Sequence, residues 1–294
     1  MAHNNHVIDG INKDIPALYG DPKEYYLELA KDWEDPYGEP IVTEHSGVRV
    51  VRDDYITGSK VRGGDCLISS LPDHIRTIVY VQPRTGLAGV SILDVAKRHG
   101  KNVKLFMPSS KRISDHQACC IERGASAEFY RIAAMPNLNL IAQKWASKNK
   151  DAYFVPLGLK HEMVTAGIVK SAMAIDPPDE VYVATSTGVL TRALQIAWPN
   201  AKFTSVCVSR NMKAGELGTA KAVSEPLAFT ATEKKENLPP FPTIDTYDGK
   251  VWKYIPKNSG KNILMWNVGK EPVLQNKNLP DSIDSYRDWV KNVA

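Results

Sequence analysis

The order of predicted strands and helices indicates an α/β fold built on mostly parallel sheets. From residue 75 onward, short apolar segments typical of buried strands alternate with segments of helical periodicity. Such strand–helix–strand units form parallel sheets, because a right-handed crossover brings consecutive strands side by side. At 294 residues, the chain is long enough for either two lobes or one large α/β domain.

The first 75 residues have a different pattern. Residues 1–40 read as a polar arm with one amphipathic helix at 23–33, which the sequence DPYG ends at 35–38. Residues 41–52 alternate in the way expected of two strands around a turn at 45–47. These strands lead directly into the segment 53–64, which contains Lys60.

Further along the chain, we expect strands at 78–81, 103–107, 127–130, 153–155, 181–184, 203–208 and 262–266. Helices are predicted at 89–99, 114–123, 138–148, 162–175, 190–198 and 282–293. Residues 211–245 are rich in Lys, Glu, Thr and Pro and lack periodicity, so we expect loops and short helices there. A segment of that length without regular structure is typically functional or mobile.

The composition is that of an ordinary globular protein, with 43% hydrophobic and 24% charged residues. The net charge of +4 does not by itself indicate nucleic-acid binding, although it is compatible with a polyanionic substrate. No apolar run approaches the roughly 18 residues of a membrane helix. The polar N-terminus MAHNNHVIDG also lacks the apolar core of a signal peptide. We therefore expect a cytoplasmic protein without a membrane segment.

The cysteines and histidines show no spacing typical of disulfides or metal sites. The four cysteines contain no CxxC pair, so we expect reduced packing residues. The seven histidines contain no HxxxH pair, and His3 and His6 lie in the N-terminal tail. We expect no metal site.

The segment 53–64 places one lysine between glycines at the start of a predicted helix. Thr57, Gly58 and Ser59 suit a turn and a helix N-cap, so Lys60 would project from the first helical turn. An ammonium at that position faces the positive end of the helix dipole, which lowers its pKa. A neutral amine is what a lysine needs to form an imine. On this segment alone, a solvated surface lysine is the stronger interpretation.

A second candidate site is the sequence TSTG at 185–188, which follows a predicted strand and precedes a helix. Backbone N–H groups and hydroxyls there can converge on an anion at the helix N-terminus. The loop is not a Walker sequence, and the chain contains no GxGxxG to support a dinucleotide site. Phosphate binding and simple helix capping are equally good interpretations of this loop alone.

Two other polar positions follow predicted strands. The turn TGLAG at 85–89 has free N–H groups that suit a carboxylate, or it only permits close helix packing. Asn267 ends the last strand, at the edge where open α/β sheets place ligands.

Taken together, these features resemble the tryptophan-synthase-β-like family, the fold type II pyridoxal-phosphate enzymes. The turn at 85–89, the helix that follows it and the strand sequence VKLFMP at 103–108 are similar to that family's SGNHG turn, helix and strand. Lys60 and its neighbours most resemble the GNKxRK segment of the D-cysteine desulfhydrase and aminocyclopropane-carboxylate deaminase branch, and YFVPLG at 153–158 resembles that branch's strand before a glycine loop. The resemblance covers roughly residues 40–270.

The resemblance implies two lobes, each with a mostly parallel sheet flanked by helices. Residues 1–75 and 176–294 would form the larger, cofactor-binding lobe, and residues 76–175 a smaller inserted lobe. Lys60 would hold pyridoxal 5′-phosphate as an aldimine and move a proton at the substrate α-carbon. Asn267 would lie beside the pyridine nitrogen as a neutral partner, and a homodimer is expected. The phosphate group would be bound by Thr185, Ser186, Thr187, Gly188 and Val189.

The same resemblance places a substrate-carboxylate loop at Thr85, Gly86, Leu87 and Ala88. Leu87 and Ala88 occupy the positions of the family's Asn and His, so a polar group of that loop is absent. Arg84 or Lys160, which lie in the matching loops, would then supply the carboxylate contact.

The implied function is that of a lyase-type enzyme that performs elimination, deamination or replacement on an amino acid. Two alternatives stay open. The first is an enzyme that remodels or decarboxylates an amino-acid group attached to a nucleobase, as in phage-type DNA hypermodification. The altered carboxylate loop, the net charge of +4 and the segment 211–245 favour it. The second is a binding protein that keeps the fold without catalysis.

Overall fold

A computed structural model of the chain describes residues 21–131, 134–212 and 215–293. Its ten strands and eight helices lie within these ranges. The strands are β1 (Val42–His45), β2 (Val48–Arg52), β3 (Thr77–Val81), β4 (Asn102–Pro108), β5 (Ser126–Tyr130), β6 (Ala152–Phe154), β7 (Glu180–Thr185), β8 (Lys202–Cys207), β9 (Lys221–Ser224) and β10 (Ile263–Asn267). The helices are α1 (Pro22–Leu29), α2 (Lys60–Ser69), α3 (Ala88–Arg98), α4 (Asp115–Glu122), α5 (Met135–Lys148), α6 (Glu162–Ala172), α7 (Val189–Ala197) and α8 (Ile283–Val293).

The chain contacts divide the protein into two compact units. The first contains residues 21–70 and Gly158–Glu271, and the second contains Leu71–Leu157 and residues 272–293. This division differs from the predicted lobes in three places, of which the first is that residues 71–75 belong to the second unit. Residues 158–175 join the first unit, because α6 packs against α2. Residues 272–293 join the second, where the Tyr286 hydroxyl on α8 hydrogen-bonds the backbone of Ala127 at 3.2 Å.

The first unit is built on a six-stranded sheet with the order β1-β2-β10-β7-β8-β9. Only β1, an edge strand, is antiparallel to its neighbour. The side chains of Val50, Met265 and Val206 form a buried core with Phe241 and Trp252. This core fixes the segment that precedes β10 against the sheet.

The second unit is built on an all-parallel sheet with the order β5-β4-β3-β6. Helix α5 packs against it, so that Leu138 and Ala142 share a core with Val79, Val81 and Phe106. The predicted α/β fold with mostly parallel sheets is confirmed.

Most predicted elements are present, with ends that differ by a few residues. The exception is β9, an edge strand within the segment 211–245 that was predicted to hold only loops and short helices. Its side chains are largely exposed, so they lack the alternation that marks a half-buried strand. The predicted helix at 23–33 ends at Leu29. The polar arm up to residue 20, with His3 and His6, lies outside the described residues.

The described ranges contain neither a helix that could cross a membrane nor a cluster of three or more potential metal ligands. All four cysteines are buried thiols.

Helices α2 and α6 approach closely through two glycines. A Cβ on Gly63 would lie 2.5 Å from the carbonyl oxygen of Val164, and one on Gly167 would lie 2.8 Å from the Cβ of Cys66. Since these contacts involve backbone and Cβ atoms, neither position can accept a side chain without separating the helices.

We therefore expect Gly63→Ala to lower the free energy of unfolding by about 2 kcal/mol, because overpacking outweighs alanine's better helix propensity. Urea unfolding measures the change. The control is Ser69→Ala on the exposed end of the same helix, which should stay within about 0.5 kcal/mol of the wild type. A stabilised Gly63→Ala variant would contradict the close approach.

Candidate functional site in the first unit

Lys60 is the first residue of α2, at the end of a turn in which Gly58 has φ +107°. Ser59 is the N-cap, and its backbone N–H donates to the Val268 carbonyl oxygen at 2.9 Å. Lys60 lines a pocket that is partly open to solvent. The other lining residues come from the same unit and include Gly158, Leu159, Val164, Ile168, Ala184, residues 185–191, Tyr247 and Val268.

Burial lowers the pKa of the Lys60 ammonium, and the nearby Asp248 carboxylate opposes that shift. A lowered pKa at Lys60 agrees with the prediction from the sequence. Its principal cause is burial, however, and not the helix dipole on which the prediction was based. The site therefore favours a neutral amine at Lys60.

The loop Thr185 to Val189 lines the same pocket. Its three hydroxyls are not equivalent. The Thr185 hydroxyl is buried in a network with Thr191 Oγ1 at 2.7 Å and Ser205 Oγ at 2.5 Å, so it is fixed by the protein itself. Ser186 and Thr187 are partly exposed and are better placed for a ligand.

Gly188 gives this loop its shape. Its φ of +75° suits glycine, and a Cβ there would lie 2.1 Å from the Glu216 carbonyl oxygen and 2.5 Å from Arg192 Nη1. The next residue, Val189, begins α7, whose first backbone N–H groups lack helical acceptors. The loop and the helix N-terminus together form a site suited to an anion.

Cationic side chains lie near this anion site. Arg192 is 1% exposed, and its Nη2 donates to the Thr187 carbonyl oxygen at 3.4 Å. Burial lowers the pKa of Lys160, with smaller contributions from Glu216, which raises it, and from Arg192 and Arg210, which lower it. Lys160 thus lies near the phosphate end of the predicted cofactor site.

Two residues of the site were missed by the sequence analysis. Tyr247 lines the pocket, and its hydroxyl donates to Ser186 Oγ at 3.3 Å; burial raises its pKa to about 12. Asp248 is fully buried, and burial raises its pKa to about 8. Both follow the irregular segment 211–245, where no periodicity or motif distinguishes them from loop residues.

Asn267 is fully buried at the end of β10 and is not among the residues that line the pocket. Its Nδ2 donates to Asp54 Oδ1 and to the Pro242 carbonyl oxygen, both at 2.9 Å. Because both partners are acceptors, the amide nitrogen must face them, and this orients the side chain. Val268, the next residue, contributes to the pocket instead.

The predicted carboxylate loop belongs to the second unit. The buried Gln82 side chain shapes it, donating to the carbonyl oxygens of Pro83 and Gly86 and accepting from Gly89 N at 2.8 Å. Arg84, Thr85, Gly86 and Leu87 are partly exposed, and Ala88 is buried. The loop is thus a fixed turn with accessible backbone.

No protein-family model matches the sequence, and no curated protein matches it. Solved structures do match. An ACC deaminase homologue superposes with a TM-score of 0.67 at 16% identity, covering 83% of this chain and 94% of that chain. Threonine deaminase isoform 2 from Solanum lycopersicum superposes with a TM-score of 0.62 at 14% identity, covering 93% of this chain and 94% of that chain. Maize serine racemase superposes with a TM-score of 0.64 at 11% identity, covering 92% of this chain and 97% of that chain.

At 11–16% identity, these similarities show the fold. The chain therefore has the fold of the fold type II pyridoxal-phosphate enzymes, as its resemblance to the tryptophan-synthase-β-like family implied.

Proposed function

We propose that the protein is a pyridoxal-phosphate-dependent enzyme that acts on an amino acid. The observation that carries the proposal is one pocket that contains both a lysine of lowered pKa and a loop at a helix N-terminus. These are the two groups needed to hold an aldehyde and a phosphate at opposite ends of one ligand.

The residues present fit that cofactor. Lys60 offers an amine whose neutral form is favoured, and the N-terminus of α7 beside Gly188 offers backbone N–H groups to a phosphate. Leu159, Val164 and Ile168 add apolar lining to the same pocket, which suits a flat ring. The hydrogen bond from Tyr247 to Ser186 orients the loop.

When bound, pyridoxal phosphate supplies an aldehyde and an electron-withdrawing ring for carbanion chemistry on an amino acid. Lys60 would hold the aldehyde and, once displaced by a substrate amine, take the proton from the substrate α-carbon. Elimination, deamination and replacement all begin with that proton removal. Racemisation begins in the same way; among these reactions we propose the lyase type for the site, with Lys60 as its catalytic base.

The carboxylate of the substrate needs a partner that Leu87 and Ala88 cannot provide. Backbone N–H groups of the loop around Thr85 and Gly86, with Arg84 beside them, remain suited to that contact. We propose this loop as the substrate-binding segment of the second unit.

The nucleobase-linked substrate is a second candidate. Lys221, Lys234 and Lys235 of the segment 211–245 are exposed, which favours an extended polyanion. Salt-dependent retention on DNA would support this candidate. Turnover of a free amino acid such as D-cysteine, without DNA affinity, would exclude it.

Borohydride reduction of the protein with pyridoxal phosphate should leave the cofactor covalently attached to Lys60. Peptide mass mapping identifies the modified lysine, and Lys160, Lys250 and Lys257, whose pKa values are also lowered by burial, serve as internal controls. Attachment to one of those three would refute the assignment of Lys60. No attachment at all would favour a non-catalytic protein.

Replacing Gly188 by alanine should remove phosphate recognition, since the added Cβ clashes with Glu216 and displaces the loop. We expect pyridoxal phosphate to bind more than about tenfold more weakly, because charge-assisted hydrogen bonds are lost. Binding of pyridoxal, which has no phosphate, should change little. Absorbance titrations with the two compounds measure the difference.

The matched control is Gly100→Ala, which has a similar φ of +61° but no atom within 4 Å of the added Cβ. It imposes comparable backbone strain away from the pocket. Equal loss of pyridoxal and pyridoxal-phosphate binding in Gly188→Ala would show that the loop does not recognise phosphate.

A further inference from the structure

Asp248 is connected to the turn that carries Lys60 by a chain of hydrogen bonds through Val268. Its Oδ1 accepts from Ile244 N and its Oδ2 from Val268 N, both at 2.9 Å. The carbonyl oxygen of Val268 then accepts from Ser59 N at 2.9 Å. The carboxyl group is thereby linked to the residue that immediately precedes Lys60.

We propose that Asp248 is a positioning residue for Lys60: through Val268 it fixes the turn that carries the lysine, and its ionised carboxylate favours the ammonium form of that lysine over the neutral amine. This inference rests on the proposed function, because a neutral amine is the form that reacts with an aldehyde cofactor. Asp248 would then be a second group that affects the chemistry of the pocket, although it does not line the pocket.

Electrostatics support this role. Among the described residues, Asp248 is the charged group that acts on Lys60, and it stabilises the ammonium against the effect of burial. Tyr247 is the other titratable group beside Asp248. The pKa of Asp248 itself is raised to about 8 by burial, although backbone donors including Ile244 and Val268 oppose the shift. Two such groups in one buried region titrate as a coupled pair.

The sign of the coupling follows from these shifts. While Asp248 is ionised, the Lys60 ammonium gains a favourable interaction and the amine is harder to obtain. While Asp248 is protonated, that interaction is absent and burial favours the neutral amine. Removal of the Asp248 charge should therefore make Lys60 a nucleophile at lower pH.

The test is trace labelling of the cofactor-free protein with acetic anhydride across a pH series, with Lys60 followed by peptide mass spectrometry. In Asp248→Asn, we expect the labelling midpoint of Lys60 to move to lower pH. At pH values where Asp248 is ionised in the wild type, labelling should be faster in the variant, by roughly tenfold for a shift of about one pH unit. An unchanged midpoint would overturn the proposal, since a purely structural carboxyl would not shift it.

The matched control is Asp54→Asn, which also removes a buried carboxylate bound to the end of β10 but one that does not act on Lys60. It should leave the midpoint in place; an equal shift in this control would overturn the specific role of Asp248. If Asp248→Asn does not fold, the wild-type curve decides: a titration with a second step near pH 8 supports the coupling, and a single step contradicts it.

This experiment is independent of the cofactor proposal. A protein that shows the shift but fails to bind pyridoxal phosphate would refute the proposed function and leave the Asp248–Lys60 coupling in place. If the protein binds the cofactor through Lys60 but Asp248→Asn leaves the labelling midpoint unchanged, the coupling is refuted and the proposed function is retained.

Discussion

The hydrogen bond from Ser59 N to the Val268 carbonyl oxygen is the contact on which the rest of the site depends. It attaches the turn that carries Lys60 to the residue that follows β10. The segment 53–64 taken alone favoured a solvated surface lysine, and the resemblance to the tryptophan-synthase-β-like family reversed that interpretation. In the structure, Lys60 lines the same pocket as the loop that begins at Thr185.

That contact is one of several by which the end of β10 is bound to the segment before α2. Trp266 Nε1 donates to Asp53 Oδ2 at 2.8 Å, and Asn267 Nδ2 donates to Asp54 Oδ1 at 2.9 Å. Burial raises the pKa of Asp53, while the Arg62 guanidinium and the hydrogen bond from Trp266 oppose that rise. Buried charges of this kind contribute little net stability but are costly to leave unpaired, so they penalise any other register of the two segments.

Local signals in the sequence were sufficient for the fold, whereas the two site segments at Lys60 and Gly188 were proposed only after several segments together resembled one family. The alternation of strands and helices depends on short-range periodicity, and Lys60 and Gly188 lie in turns whose residue types indicate their conformation. Asp248 and Tyr247 could not be found in that way. Their roles depend on contacts with Val268 and Ser186, which are distant in sequence.

Contacts between residues that are distant in sequence also explain two other differences between the sequence predictions and the structure. The exposed strand β9 pairs with β8 through its backbone, which leaves no pattern in its side chains. The resemblance implied that Asn267 lies beside the cofactor ring; in the structure Asn267 does not line the pocket, and its amide nitrogen donates to Asp54 and Pro242. Which side chain at a strand end reaches a pocket depends on the segments packed around it, and a single sequence does not contain that information.

A crystal structure of the protein grown with pyridoxal phosphate tests the central claim most directly. The account predicts continuous electron density from Lys60 Nζ to the cofactor, with the phosphate group at the backbone N–H groups between Gly188 and Leu190. Density joined to another lysine, or a phosphate bound away from the start of α7, would contradict it.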